Sequence, residues 1–172
     1  MGSLRELLAT DHQQALEFFL QRLKDVSGPG VDPQELLYNA SVLAHHAQVS
    51  THATVDLSTP ASLSAIFDHF VVDSTLLADS LIMETAGAQC LVLAGFFEDQ
   101  MRRRHNIRWY SELGAGFFSR AATREASPRK AQLLDTIARH FEAWRQRQAR
   151  LSRVLRDEPL LLAPPPQQES AR

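Results

Sequence analysis

Cysteine is all but missing: Cys90 is the single one in 172 residues. One thiol excludes an intrachain disulfide framework and any zinc site needing two cysteines from one chain. Lysine is nearly as scarce, with Lys24 and Lys130 standing against 16 arginines. Together with abundant Ala and Leu, that bias points to a GC-rich genome and hence a bacterial origin. No Val/Ile/Thr-rich alternating run lies between turn signals, so no strand is expected. Long apolar runs are absent as well. The longest low-charge stretch, Leu81 to Phe97, is interrupted by Glu84, Thr85 and Gln89 and is short for a membrane span. The opening residues, MGSLRELLATDHQQ, carry no basic stretch followed by an apolar core, so no secretory signal is read and a cytoplasmic protein is expected. The sequence also lacks a Gly-x-Ser-x-Gly elbow, a glycine-rich phosphate loop and a paired-carboxylate motif. With none of these, the chain is read as non-enzymatic and without a cofactor.

What the sequence has is a segregated charge. Residues 1–100 hold 3 basic and 13 acidic groups, residues 101–172 hold 15 basic and 7 acidic, and the net charge is −2. Either the halves attract each other within one fold, or the basic half faces an acidic partner. At this length, with 44% apolar residues, a single domain over 1–158 is the natural reading. The proline-rich end, 159–172, has the composition of a disordered tail.

Helix starts are legible. Asp32-Pro33-Gln34-Glu35 sets an acid at the N-cap, Pro at the first helical position and Glu at the third, a capping box. Thr59-Pro60 and Ser127-Pro128 repeat the cap-then-proline device. Helices are predicted near 4–26, 33–48, 60–71, 74–104, 108–124 and 128–156. The fold class is therefore all-α, a compact bundle of about six helices. Cys90 to Phe97 is eight residues without a polar side chain, and a helix apolar all round is buried all round. The 74–104 helix is accordingly placed at the centre, with Gly87 and Gly95 permitting close approach or bending it. In 128–156, Leu134, Ile137, Phe141, Trp144, Gln148, Leu151 and Leu155 form one stripe at spacings of 3 and 4. Most of its arginines lie off that stripe, which is long enough to pair in a homo-oligomer.

Three candidate sites emerge. His45 and His46 point about 100° apart on a helix, and His45 and His52 are roughly 10.5 Å apart along it. Neither pair can share a metal ion, so no metal site is read, and His45 is assigned a packed position beside Tyr38 and Val42. Glu84 is the lone charge between Leu81 and Phe97. Buried, it must be paired, hydrogen-bonded or protonated. An ion pair with an arginine, or an opening to solvent at the Gly87 bend, is the structural expectation. The functional alternative is a small-molecule-binding protein or an enzyme, with an inter-helix pocket lined by Glu84, His45 and Tyr110. The third candidate is the basic, aromatic-flanked segment Arg102, Arg103, Arg104, Arg108, Trp109 and Tyr110. Cations suit the last turn of a helix, and Trp109 through Phe118 fall at helical spacing with Gly114 and Gly116 admitting bulky neighbours. The same segment offers arginine and aromatic anchors to another protein. A pI near 6.4 weighs against nucleic acid, which ranks third.

Residues 77–122, LADSLIMETAGAQCLVLAGFFEDQMRRRHNIRWYSELGAGFFSRAA, resemble the central segment of an uncharacterised family of small all-helical bacterial proteins. That family's pattern is an apolar helix ending in Gly-Phe-Phe, a basic stretch, an aromatic pair and then Leu-Gly. Here the pair is Trp109-Tyr110 and the dipeptide Leu113-Gly114, while Ala88-Gln89 replaces the family's Gly-Asp. The resemblance implies a helical fold and no particular activity. The leading functional expectation is a cytoplasmic protein-binding module, such as an adaptor, immunity or regulatory protein, using the basic surface.

Overall fold

Asp32 starts its helix as the sequence suggests, its Oδ1 accepting from the backbone N–H of Gln34 at 2.8 Å and of Glu35 at 3.1 Å. The computed structural model describes residues 12–52 and 79–157. It places seven helices and no strand among them: α1 His12–Ser27, α2 Pro33–His52, α3 Ser80–Ala94, α4 Glu98–Met101, α5 Ile107–Arg124, α6 Pro128–Arg139 and α7 Phe141–Asp157. The fold is all-α. The expected 60–71 helix, residues 74–78 of the central helix and the C-terminal tail lie outside the described residues.

The capping box forms only by half. Glu35, expected to fold back on the helix start, is buried, and its Oε1 lies 2.7 Å from His140 Nδ1 and accepts from Trp144 Nε1 at 3.1 Å. Burying Trp144 requires an acceptor for its indole N–H, and Glu35 supplies it. Ahead of α2, Gly28 and Gly30 have φ of +73° and +85°, a left-handed backbone that glycine adopts without a Cβ penalty. Their turn folds α1 back on α2.

α3 is the central helix, but it is shorter than expected. Cys90, Leu91, Val92, Leu93 and Ala94 are all buried, as an all-round apolar helix requires. Asp79 caps its start, accepting from Leu81 and Ile82 N–H. The helix stops at Gly95 instead of running to 104. A Cβ on Gly95 would lie 2.7 Å from Leu91 O and 3.0 Å from Arg145 O, so α7 crosses there against bare backbone. Arg145 Nη1 donates to Ala94 O at 3.3 Å, occupying a carbonyl at the helix end. After the break comes the single turn of α4.

α5 lies against α3 along its length. Gly87 and Gly114 make that closeness possible, since a Cβ on either would meet Phe118 or Phe141 at 2.9 Å or less. Gly116, by contrast, faces open space and admits no neighbour.

The expected 128–156 helix is two helices, hinged at His140. Its stripe survives the break: Leu134, Ile137, Phe141, Trp144, Gln148, Leu151 and Leu155 are all buried. Gln148 belongs there because its Nε2 donates to Asn39 Oδ1 at 3.0 Å. The stripe is spent on the core, so it is no free face for pairing with a second copy. Arg145, expected off the stripe, is buried too.

Candidate functional site

Part of the charge segregation is consumed inside the fold: among the described residues, Arg102, Lys130, Arg145, Arg153 and Arg156 meet carboxylates of the first half. Glu98 meets Arg102 at 2.5 Å, Arg153 at 3.3 Å and Arg145 at 3.4 Å. Asp99 pairs with Arg153 and Arg156, and Arg145 also holds Glu142. These contacts hold the Asp99 carboxyl, chiefly through Arg156, and the Glu142 carboxyl, chiefly through Arg145, below the usual carboxylate range. Acids at the end of the first half thus tie down arginines of the last helix.

The basic segment divides accordingly. Arg102 is bound to Glu98, and Arg108 to Glu112 one turn on at 3.0 Å. The three consecutive arginines occupy a turn after α4 rather than a helix's last turn. Arg103 and Arg104 are exposed there, with no carboxylate partner among the described residues. Trp109 is 42% exposed, whereas Tyr110 is 6% exposed and packs its ring against His105 and Trp109. Tyr110 is therefore core rather than surface. Of the expected set, Arg103 and Arg104 are exposed with no carboxylate partner among the described residues, and Trp109 adds an exposed aromatic ring.

Glu84 leads to a different place. Its Oε1 accepts from Tyr38 Oη at 2.9 Å, and its Oε2 lies 2.8 Å from Lys130 Nζ. The expected ion pair exists, but its cation is a lysine of α6 and not an arginine. Lys130 also approaches Glu125 at 3.9 Å. The hydrogen bond to Glu84 raises the lysine's pKa, and burial followed by the charge of Glu84 lifts the Tyr38 phenol well above its ordinary value. Beside this cluster runs a groove of about 300 Å³ between α2 and α3. Val42, Leu81, Ala88 and Val92 line it, with Glu84 and Tyr38 towards one end and His45 and His46 towards the other. Tyr38 meets Glu84, and His46 packs edge-on to Phe97 at 5.5 Å, so the two helices run in the same direction.

The structure brings Glu84 and His45 to one groove and leaves Tyr110 out of it. Tyr110 belongs to α5, on the Cys90 side of α3, where burial and the neighbouring thiol raise its pKa. His45 is exposed at the groove rim rather than packed, and the more enclosed histidine is His46. Burial and then the charge of His45 lower the His46 pKa. Leu81, Glu84, Thr85, Ala88 and Val92 recur at helical spacing, a signal the sequence does carry. Lys130 arrives from 46 residues away, and no local pattern announces it. No group of three or more His, Cys, Asp or Glu placed to hold a metal ion occurs among the described residues. None of their helices is long and apolar enough to cross a membrane.

Comparison with protein-family models, curated proteins and solved structures found no match.

Proposed function

We propose that this chain is a helical binding protein whose ligand, a small molecule with an apolar body, lies in the α2–α3 groove. The observation that carries this reading is the groove itself: apolar walls with a few convergent polar groups at one end, the usual make-up of a ligand site. Leu81, 66% exposed and the most exposed large apolar side chain among the described residues, stands at its edge. Most cations of the basic half, by contrast, are turned onto the protein's own carboxylates or carbonyls. A ligand that binds only the folded state raises the melting temperature. Screening apolar small molecules by thermal shift should yield stabilisers, and Ala88→Phe, which fills the groove, should abolish their effect. If stabilisers act equally on Ala88→Phe, they bind elsewhere and the reading fails.

A second reading keeps the protein-partner surface, favoured by Arg103 and Arg104, which have no carboxylate partner among the described residues, and by the exposed Trp109. Arginine and tryptophan are the side chains most often found as interface anchors. Capture of partners from lysate should then be lost on Arg103→Glu/Arg104→Glu and weakened by salt. Capture unchanged by that double substitution would remove this surface from consideration.

A further inference from the structure

The Glu84 end of the groove carries an excess of negative charge. Glu84 and Glu125 share one cation, Lys130, which sits 2.8 Å from the first and 3.9 Å from the second. The phenol of Tyr38, held neutral by burial and by Glu84, completes the cluster as a donor to Glu84 Oε1. Other groups facing the groove here, Ser41 and Thr85, carry no charge. His45 lies seven residues beyond Tyr38 on the same helix, roughly 10.5 Å along it. His46 beside it is biased towards its neutral form by burial and by His45.

The two groups that hold Glu84 differ in how easily they can leave. Tyr38 belongs to a wall of the groove. The Lys130 side chain is 42% exposed, against 15% for Glu84. An ammonium on a long flexible stem can return to water at small cost. It can also stay on Glu125, whose side chain is nearby and only 16% exposed. A buried carboxylate cannot be left unpaired so cheaply. The site is thus built around a fixed carboxylate and an exchangeable cation, with an apolar channel leading away from it.

From this we infer that the groove takes an apolar-bodied organic monocation, its ammonium on Glu84 in place of Lys130 and its body along Val42, Ala88 and Val92. The inference rests on the groove being a ligand site. From Glu84 to Val92 the helix rises about 12 Å, which sets the length of body accommodated. An anionic head would meet the local excess of carboxylate and lose the match.

Three probes with one body and different heads test this on the full chain: decylammonium, decanol and decanoate, each below its aggregation limit, measured by calorimetry and thermal shift at pH 7.5. Decylammonium should bind roughly tenfold more tightly than decanol, a difference of about 1.4 kcal/mol, and decanoate should bind least. Glu84→Gln should bring decylammonium down to the level of decanol while leaving decanol unchanged. Lys130→Met, which removes the competing cation, should tighten decylammonium. This second variant decides the matter if Glu84→Gln fails to fold. Should decanol and decylammonium bind alike, the charge assignment falls while the groove remains a ligand site. Decanoate binding best, and being lost in Lys130→Met, would overturn the inference in favour of an anion. If no probe binds, or if all bind Ala88→Phe equally well and therefore elsewhere, both the inference and the reading beneath it fall.

Discussion

Glu35 shows how much one buried side chain can organise. It sits in α2, yet its carboxylate contacts both sides of the α6–α7 joint, at His140 and Trp144. Removing it leaves the fully buried indole N–H of Trp144 without an acceptor, a loss of about 1–3 kcal/mol, to which the vacated space adds. Glu35→Ala should therefore lower stability in urea unfolding by about 2–4 kcal/mol, and Glu35→Gln, which keeps an acceptor, by distinctly less. Equal losses for the two variants would show that the hydrogen bond contributes little. His46 makes a prediction about pH. Burial and His45 lower its pKa from the ordinary 6.5, so the unfolded imidazole takes up a proton before the folded one does. The stability His46 contributes is complete above about pH 6.5 and is lost as pH falls towards its folded pKa. Melting temperatures should drop between pH 7.5 and 5.5, and His46→Gln should flatten that slope. An unchanged slope would assign it to other groups.

Among the elements, the α3–α5 contact depends on glycine at particular positions. Gly114 and Gly116 lie two residues apart on one helix, and sequence alone treats them alike. A Cβ at Gly114 would fall 2.5 Å from Phe141 Cζ and 2.8 Å from Cys90 Cβ, within two rigid neighbours. At Gly116 it would meet nothing within 4 Å. Gly114→Ala should accordingly destabilise by about 1–3 kcal/mol through overpacking, outweighing its better helix propensity. Gly116→Ala should stabilise by up to about 1 kcal/mol, because only the propensity term acts. Denaturant midpoints for the two variants should move in opposite directions; shifts of the same sign would mean that the helices separate without cost. Gly95 differs from both, since it ends α3 where α7 crosses.

Across the whole molecule, Glu98 joins the acidic first half to the basic second. It is 9% exposed and faces three guanidinium groups, Arg102, Arg145 and Arg153, from the turn after α4 and from α7. Replacing it leaves Arg145, itself buried, beside like charges with its carboxylate support halved. Glu98→Ala should cost about 2–3 kcal/mol by urea unfolding, at the lower end of buried-pair losses because Arg102 and Arg153 are half-exposed or more. Arg108→Ala, which breaks only the exposed pair with Glu112, should change stability by less than about 0.5 kcal/mol. A comparable loss for both would mean that burial of the network adds nothing.

The sequence by itself determined the class of the fold and the starts of the helices that open at Pro33 and Pro128. Proline after an N-cap, a run of eight apolar residues and a 3-4 stripe are local or periodic signals, and they need no partner to be read. It also singled out Glu84, because a lone charge on a buried helix must find a counterpart. Tertiary structure alone decided what those counterparts are. That Lys130 and Tyr38 meet Glu84, that Glu35 turns from its own helix end to Trp144, and that Arg145 and Glu98 are buried together all depend on contacts between residues 46 to 109 positions apart. The break at Gly95 likewise falls where α7 crosses, and the break at His140 falls where that residue meets Glu35 of α2. Packing acted on the candidate surfaces in the same way, enclosing Tyr110 and Arg145, tying Arg102, Arg153 and Arg156 to carboxylates of the first half, and leaving a groove between two parallel helices.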